Sequence, residues 1–218
     1  MNFHWVKAGL AVCLLGLVAA CDEQQATSFI TSNEAPPQTA RQKDGDVPRD
    51  RNGRPFQYPL LGLSVPDFTV VTPEGETVTQ DALKGQWTIL YIWGLWCPDC
   101  IVDGPLVAEL GKVLADDPDL AFMTIHSPPS EKRKDEAFGR FGSIGNYFRA
   151  KGYTYPYLID ADASAKSGFR LPWVPSYLLV DPDGIVRGYR SDLTLAGKTP
   201  VQSFISDAKQ VIANSQQP

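Results

Sequence analysis

The chain has 218 residues and sets 20 Lys and Arg against 25 Asp and Glu, a net charge of −5. That length holds one domain with a substantial core plus accessory segments, and the acidic balance argues against a nucleic-acid partner. The four cysteines are so unevenly spaced that their positions matter more than their number.

Residues 1–20 read as a signal segment rather than as fold. Lys7 supplies a positive start, and residues 8–20 are apolar but shorter than the ~20 residues an ordinary spanning helix needs. The run ends in Leu17-Val18-Ala19-Ala20-Cys21. Small residues before a cysteine resemble a bacterial lipobox, which makes Cys21 the expected lipidation site; the alternative is a secretory signal cut elsewhere, with Cys21 spare. Cys13 leaves with the signal and lipid caps Cys21, so Cys97 and Cys100 remain as the exchangeable pair. Residues 21–58 are rich in Gln, Thr, Asn, Pro, Asp and Arg and poor in apolar side chains. They are expected to form a lipidated flexible tether with a reach on the order of 30 Å. An anionic domain gains nothing from an anionic lipid surface, so attachment to the bilayer would rest on the Cys21 lipid. Asp22 resembles an inner-membrane retention signal, which points to the periplasmic side of the inner membrane.

A folded domain is expected over residues 59–214. Residues 68–71 and 77–78 flank Pro73-Glu74-Gly75 and read as a hairpin. A short helical turn at 81–83 ends at Gly85. Residues 88–93 are almost continuously apolar, as in a central strand covered on both faces. A helix follows over 98–115, with a kink expected at Gly104-Pro105. Residues 120–125 form the next buried strand. The charge run 131–136 reads as a solvated helical face, and Phe141, Ile144 and Phe148 as a helical stripe ending at Lys151-Gly152. Residues 157–159 and 176–180 are further strands. The turn Asp181-Pro182-Asp183-Gly184 leads to a strand over 185–189. A last helix opens at Thr199-Pro200, its apolar face carrying Val201, Phe204, Ile205, Ala208 and Ile212. Strand–helix–strand units imply parallel neighbours and the closing hairpin an antiparallel edge. The fold class is α/β, a central mixed β-sheet flanked by helices with an N-terminal β-hairpin.

The chemistry concentrates in Trp96-Cys97-Pro98-Asp99-Cys100. Two cysteines at this spacing close into a disulfide and reopen, carrying two electrons with no other cofactor. Pro98 suits the first helical position. Cys97 is then the cap residue, facing unpaired N–H groups and the positive end of the helix dipole, which favours its thiolate. Cys100 lies one turn on and is placed to attack a mixed disulfide at Cys97. Asp99 suits the dipole but sets a negative charge beside Cys97, opposing the thiolate. A static disulfide closing so short a loop would contribute little stability.

These residues resemble membrane-anchored thioredoxin-like proteins of the TlpA/ResA type. The resemblance rests on Pro66-Asp67-Phe68, Leu83-Lys84-Gly85, the run from Trp93 to Cys100, Val174-Pro175-Ser176 and Asp181-Pro182-Asp183-Gly184, with Gly94 and Ser176 departing from the commoner alanine and threonine. It implies a thioredoxin-like fold and a thiol–disulfide oxidoreductase outside the cytoplasm. The implied partners are protein thiol or disulfide clients, such as apocytochrome c or copper-site proteins, and a membrane thiol transporter as electron donor. It further implies a cis Pro175 packed against the two sulfurs, with the Val174 backbone open to an extended client. Asp103 stands where ResA-type proteins carry a glutamate that helps move protons; its other reading is a solvated helix acid. Tyr91 stands where ordinary thioredoxins keep a buried aspartate.

Two other functions compete. A copper- or zinc-binding chaperone would use Cys97, Cys100 and His126, whose other reading is a core or capping histidine. A thiol peroxidase needs a threonine three residues before its reactive cysteine, where this chain has Gly94.

Overall fold

The computed structural model describes residues 28–194 and 199–215; the expected signal segment and Cys21 lie outside them. Seven strands are built in chain order: β1 (Thr69–Val71), β2 (Thr77–Thr79), β3 (Trp87–Trp93), β4 (Leu120–His126), β5 (Leu158–Ile159), β6 (Ser176–Val180) and β7 (Val186–Arg190). The helices are α1 (Pro98–Leu114), α2 (Ile144–Lys151), α3 (Ser164–Gly168) and α4 (Pro200–Ser215). One mixed sheet has the order β2-β1-β5-β4-β3-β6-β7. β3 pairs parallel to β4 and β4 to β5, while β6, β7 and the β1–β2 hairpin run antiparallel.

The two central strands follow from their apolar content. From Ile89 to Trp93 every β3 side chain is buried. Tyr91 lies opposite Tyr177 of β6, and their rings stack with centroids 4.7 Å apart. Trp93 and His126 are paired at the C-terminal ends of β3 and β4, so the chain leaves both strands at the same edge. Cys97 and Cys100 follow directly from that edge.

Local signals set most helix ends. Pro98 opens α1, which continues through Pro105 rather than breaking there. Ser143 caps α2, its Oγ accepting from the Asn146 N–H at 3.1 Å, and Gly152 ends it with φ 69°. Phe141 therefore sits in the preceding 3-10 turn, ahead of the helix expected to contain it. The charge run 131–136 also forms 3-10 turns, with no buried side chain. On α4, Val201, Phe204 and Ala208 face the core.

The tether expectation fails for residues 28–58. Phe29, Phe56 and Tyr58 are buried. The Phe29 ring lies 5.1 Å from Phe204, and Tyr58 stacks on Tyr189 at 4.7 Å. Ile30 exchanges backbone hydrogen bonds of 2.8 and 3.0 Å with Tyr189 of β7. The Tyr58 hydroxyl donates to the Phe169 carbonyl at 2.7 Å, and the Phe29 N–H to Asp207 at 2.7 Å. The physical reason is that isolated aromatic anchors, each contributing about 1.5–3 kcal/mol on burial, hold an otherwise polar coil against the sheet. Mean composition conceals such anchors. The segment is a strap, and the folded unit begins near residue 28 rather than 59.

Candidate active site

The site forms where β3 hands over to α1. Gly94 allows this turn: a Cβ there would meet Trp96 Nε1 at 2.2 Å and the Ser127 carbonyl oxygen at 2.8 Å. The Trp96 indole N–H donates to that same carbonyl at 2.8 Å. The ring is half-buried, with the Lys166 ammonium 5.7 Å from its centroid.

Cys97 is the N-cap of α1, with φ −95° and ψ 117°, and Pro98 occupies the first helical position. Both thiols are free and buried, while Pro98 and Asp99 are exposed. The two sulfurs are pushed in opposite directions. A hydrogen bond from the Cys100 thiol, helped by the N–H groups of Cys100 and Asp99, holds Cys97 below the usual thiol value, against its own burial and the Asp99 charge. Burial, and then the neighbouring Cys97, push Cys100 well above it. One sulfur is thereby a ready thiolate and the other a proton holder.

The Val174-Pro175 peptide is cis. It sets the Val174 carbonyl oxygen 3.2 Å from Cys97 Sγ, where a protonated Cys97 donates to it. Val174, Pro175, Cys97 and Cys100, far apart in sequence, thus form one cluster.

Asp103 is 1% exposed, so it is not the solvated helix acid allowed by the sequence. Its Oδ2 accepts from the Tyr177 hydroxyl and the Leu193 N–H, both at 2.8 Å, and its Oδ1 from the Thr194 N–H at 3.2 Å. Burial raises its pKa, opposed by those hydrogen bonds. Asp103 ties the segment after β7 to the dithiol helix, one turn beyond Cys100. Asp192 of that segment is itself ion-paired to Arg54 of the strap at 2.6 Å. Nothing in the sequence flags this pair, whose partners stand 138 positions apart.

The metal-chaperone reading is corrected by the placement of His126. Among the described residues no three His, Cys, Asp or Glu side chains are grouped to hold a metal. The His126 Nε2 accepts from the Leu95 N–H at 3.2 Å, and its ring stacks on Phe138 and meets Trp93 edge-on. That nitrogen is therefore not free to ligate. Burial lowers the imidazole pKa to about 4, keeping it neutral. It is a core histidine that holds the turn leading to Cys97.

A family model described as AhpC/TSA matches residues 61–189. The soluble secreted antigen MPT53 of Mycobacterium tuberculosis is 26% identical over 117 residues, covering 54% of this chain and 60% of that protein. The chain thus spans less than two thirds of that relative. The thiol-disulfide oxidoreductase ResA of Bacillus subtilis is 22% identical over 151 residues, 69% of this chain and 75% of ResA. A solution structure from Bacteroides thetaiotaomicron, described provisionally as a protein disulfide isomerase, aligns with a TM-score of 0.50 and 23% identity, over 69% of this chain and 87% of that one. The fold is thioredoxin-like.

Proposed function

The chain belongs to the AhpC/TSA family, and we propose that it is a thiol–disulfide oxidoreductase that reduces disulfides of client proteins outside the cytoplasm. The observation that carries this reading is the unequal dithiol at the start of α1, with Cys97 held toward thiolate and Cys100 toward thiol. Cys97 attacks one sulfur of a client disulfide. The client S–S bond breaks, a Cys97–client bond forms, and the departing client thiolate takes a proton. Cys100 then loses its proton and attacks Cys97 Sγ, releasing the second client thiol. The client gains two electrons and two protons, and the protein is left with a Cys97–Cys100 disulfide. A membrane thiol donor returns it to the dithiol.

Supporting roles follow from contacts. Trp96 and Pro98 shape the turn around Cys97, and the Val174-Pro175 backbone lies where an extended client chain would approach. Asp99 moderates the thiolate. Asp103 positions the 193–194 backbone beside α1. Apocytochrome c or copper-site proteins are the proposed clients, and a signal over 1–20 with lipid at Cys21 would place the reaction at the outer face of the inner membrane. A threonine at position 94 would have its Cβ 2.8 Å from a backbone oxygen, so the peroxidase arrangement does not fit this turn.

Trapping tests the reading. A Cys100→Ser variant forms mixed disulfides with clients at Cys97 and cannot resolve them, so reducible adducts should accumulate and be absent from a Cys97→Ser variant. Adducts on neither variant, or equally on both, overturn it.

A further inference from the structure

Residues 28–58 lie outside the span matched by the family model, yet part of this strap reaches the loops that frame the dithiol. Arg49 donates from Nη2 to the Pro172 carbonyl at 2.8 Å and from Nη1 to the Gly53 carbonyl at 3.0 Å. Its guanidinium lies 5.9 Å from the Trp173 ring centroid, and its Nε pairs with Asp46 at 3.4 Å. Gly53 comes at the same indole from the strap side, where a Cβ would stand 3.5 Å from the ring. The clamped residues, Pro172 and Trp173, immediately precede Val174, whose carbonyl oxygen is 3.2 Å from Cys97 Sγ. Arg54 meanwhile pairs at 2.6 Å with Asp192, in the segment that Asp103 binds to α1. One strap thus holds both loops around the dithiol.

We propose that residues 41–58 position the site for protein clients, with Arg49 as the residue that fixes the Pro172–Val174 backbone against Cys97. The argument is geometric. An extended client beside Cys97 meets the backbone of this loop, so its reactive sulfur reaches Cys97 in line only if that backbone is held. A small disulfide needs only the sulfur. Guanidinium suits the task because its planar fork serves two carbonyls at once while its face lies toward an indole. Lysine offers the charge without the fork.

This inference rests on the disulfide-exchange reading, and the test separates the two. The reduced full-length protein is oxidised in a single turnover by a protein disulfide, insulin, and by a small one, oxidised glutathione. The ratio of the two rates is the readout, because a loss of folded protein cancels in it. Arg49→Gln should lower the insulin-to-glutathione ratio about tenfold, within the range that slight misplacement of a reacting group costs. Arg49→Lys should recover part of it. Gly53→Ala, which presses on Trp173 from the other side and strains a φ of +87°, should move the ratio the same way. An unchanged ratio in both Arg49→Gln and Gly53→Ala overturns the positioning role while leaving exchange intact. A wild-type protein that is oxidised by neither disulfide overturns the exchange reading itself.

Discussion

Replacing Tyr58 tests whether residues 28–58 are strap or tether. Its ring is fully buried, stacks on Tyr189 with an interplanar angle of 18°, and its hydroxyl donates to the Phe169 carbonyl at 2.7 Å. Tyr58→Ala removes a buried ring, which costs about 3–5 kcal/mol for an aromatic in a packed core. It also strands the Phe169 carbonyl, adding roughly 1 kcal/mol. The sum, about 4–6 kcal/mol, corresponds to a fall in Tm of roughly 8–24 °C for a domain of this size. Tyr58→Phe keeps the ring and should cost only about 1 kcal/mol, which keeps the comparison readable if the alanine variant does not fold. Urea unfolding followed by far-UV circular dichroism gives both values. A Tyr58→Ala loss below about 1 kcal/mol would mean that the strap does not pack, since surface changes stay within roughly 0.5 kcal/mol.

Three further outcomes follow from the site. Asp99→Asn removes the negative charge that opposes the Cys97 thiolate, so thiolate absorbance should titrate at lower pH; no movement, or a rise, contradicts the assignment. His126 titrates near 6.5 when unfolded and at about 4 when buried, so the unfolded chain binds the proton first. Stability present above pH 6.5 should therefore fall between pH 6.5 and 4, by about 3 kcal/mol. His126→Gln should flatten that stretch of the urea-unfolding profile, and an equal slope in both proteins would exclude His126 as its source. Gly94→Thr places a Cβ 2.8 Å from the Ser127 carbonyl and displaces the Trp96 indole. It should cost about 1–3 kcal/mol as overpacking and confer no peroxide consumption; peroxide turnover by either protein would contradict the reading of this turn.

The strands and the dithiol were readable in the chain because their signals are local. The apolar runs behind β3 and β4, the Pro98 start and the Gly152 stop of α2 each act over a few residues. The Val174-Pro175 segment was readable only through resemblance, since nothing local says that it meets Cys97 across 77 positions. Other features depended on distant partners and escaped. The strap is held by aromatic side chains with no periodicity, and its Arg54–Asp192 pair carries no motif. Asp103 reads as an exposed helix acid until Tyr177, Leu193 and Thr194 fold over it. The short helix α3 and the 3-10 turns of the charge run fall below the length at which a helical period can be recognised. His126 carried two readings, and the Leu95 N–H on its Nε2 decided between them.

The unequal dithiol is the centre of the account, and site-resolved alkylation measures it directly. The reduced protein is treated with iodoacetamide across a pH series, and modification of each cysteine is followed by mass spectrometry of its peptide. Cys97 should react first, with a midpoint below that of an ordinary thiol, while Cys100 stays protonated and unmodified well into the alkaline range. Equal rates at the two cysteines, or faster reaction at Cys100, would contradict the assignment of nucleophile and resolving thiol.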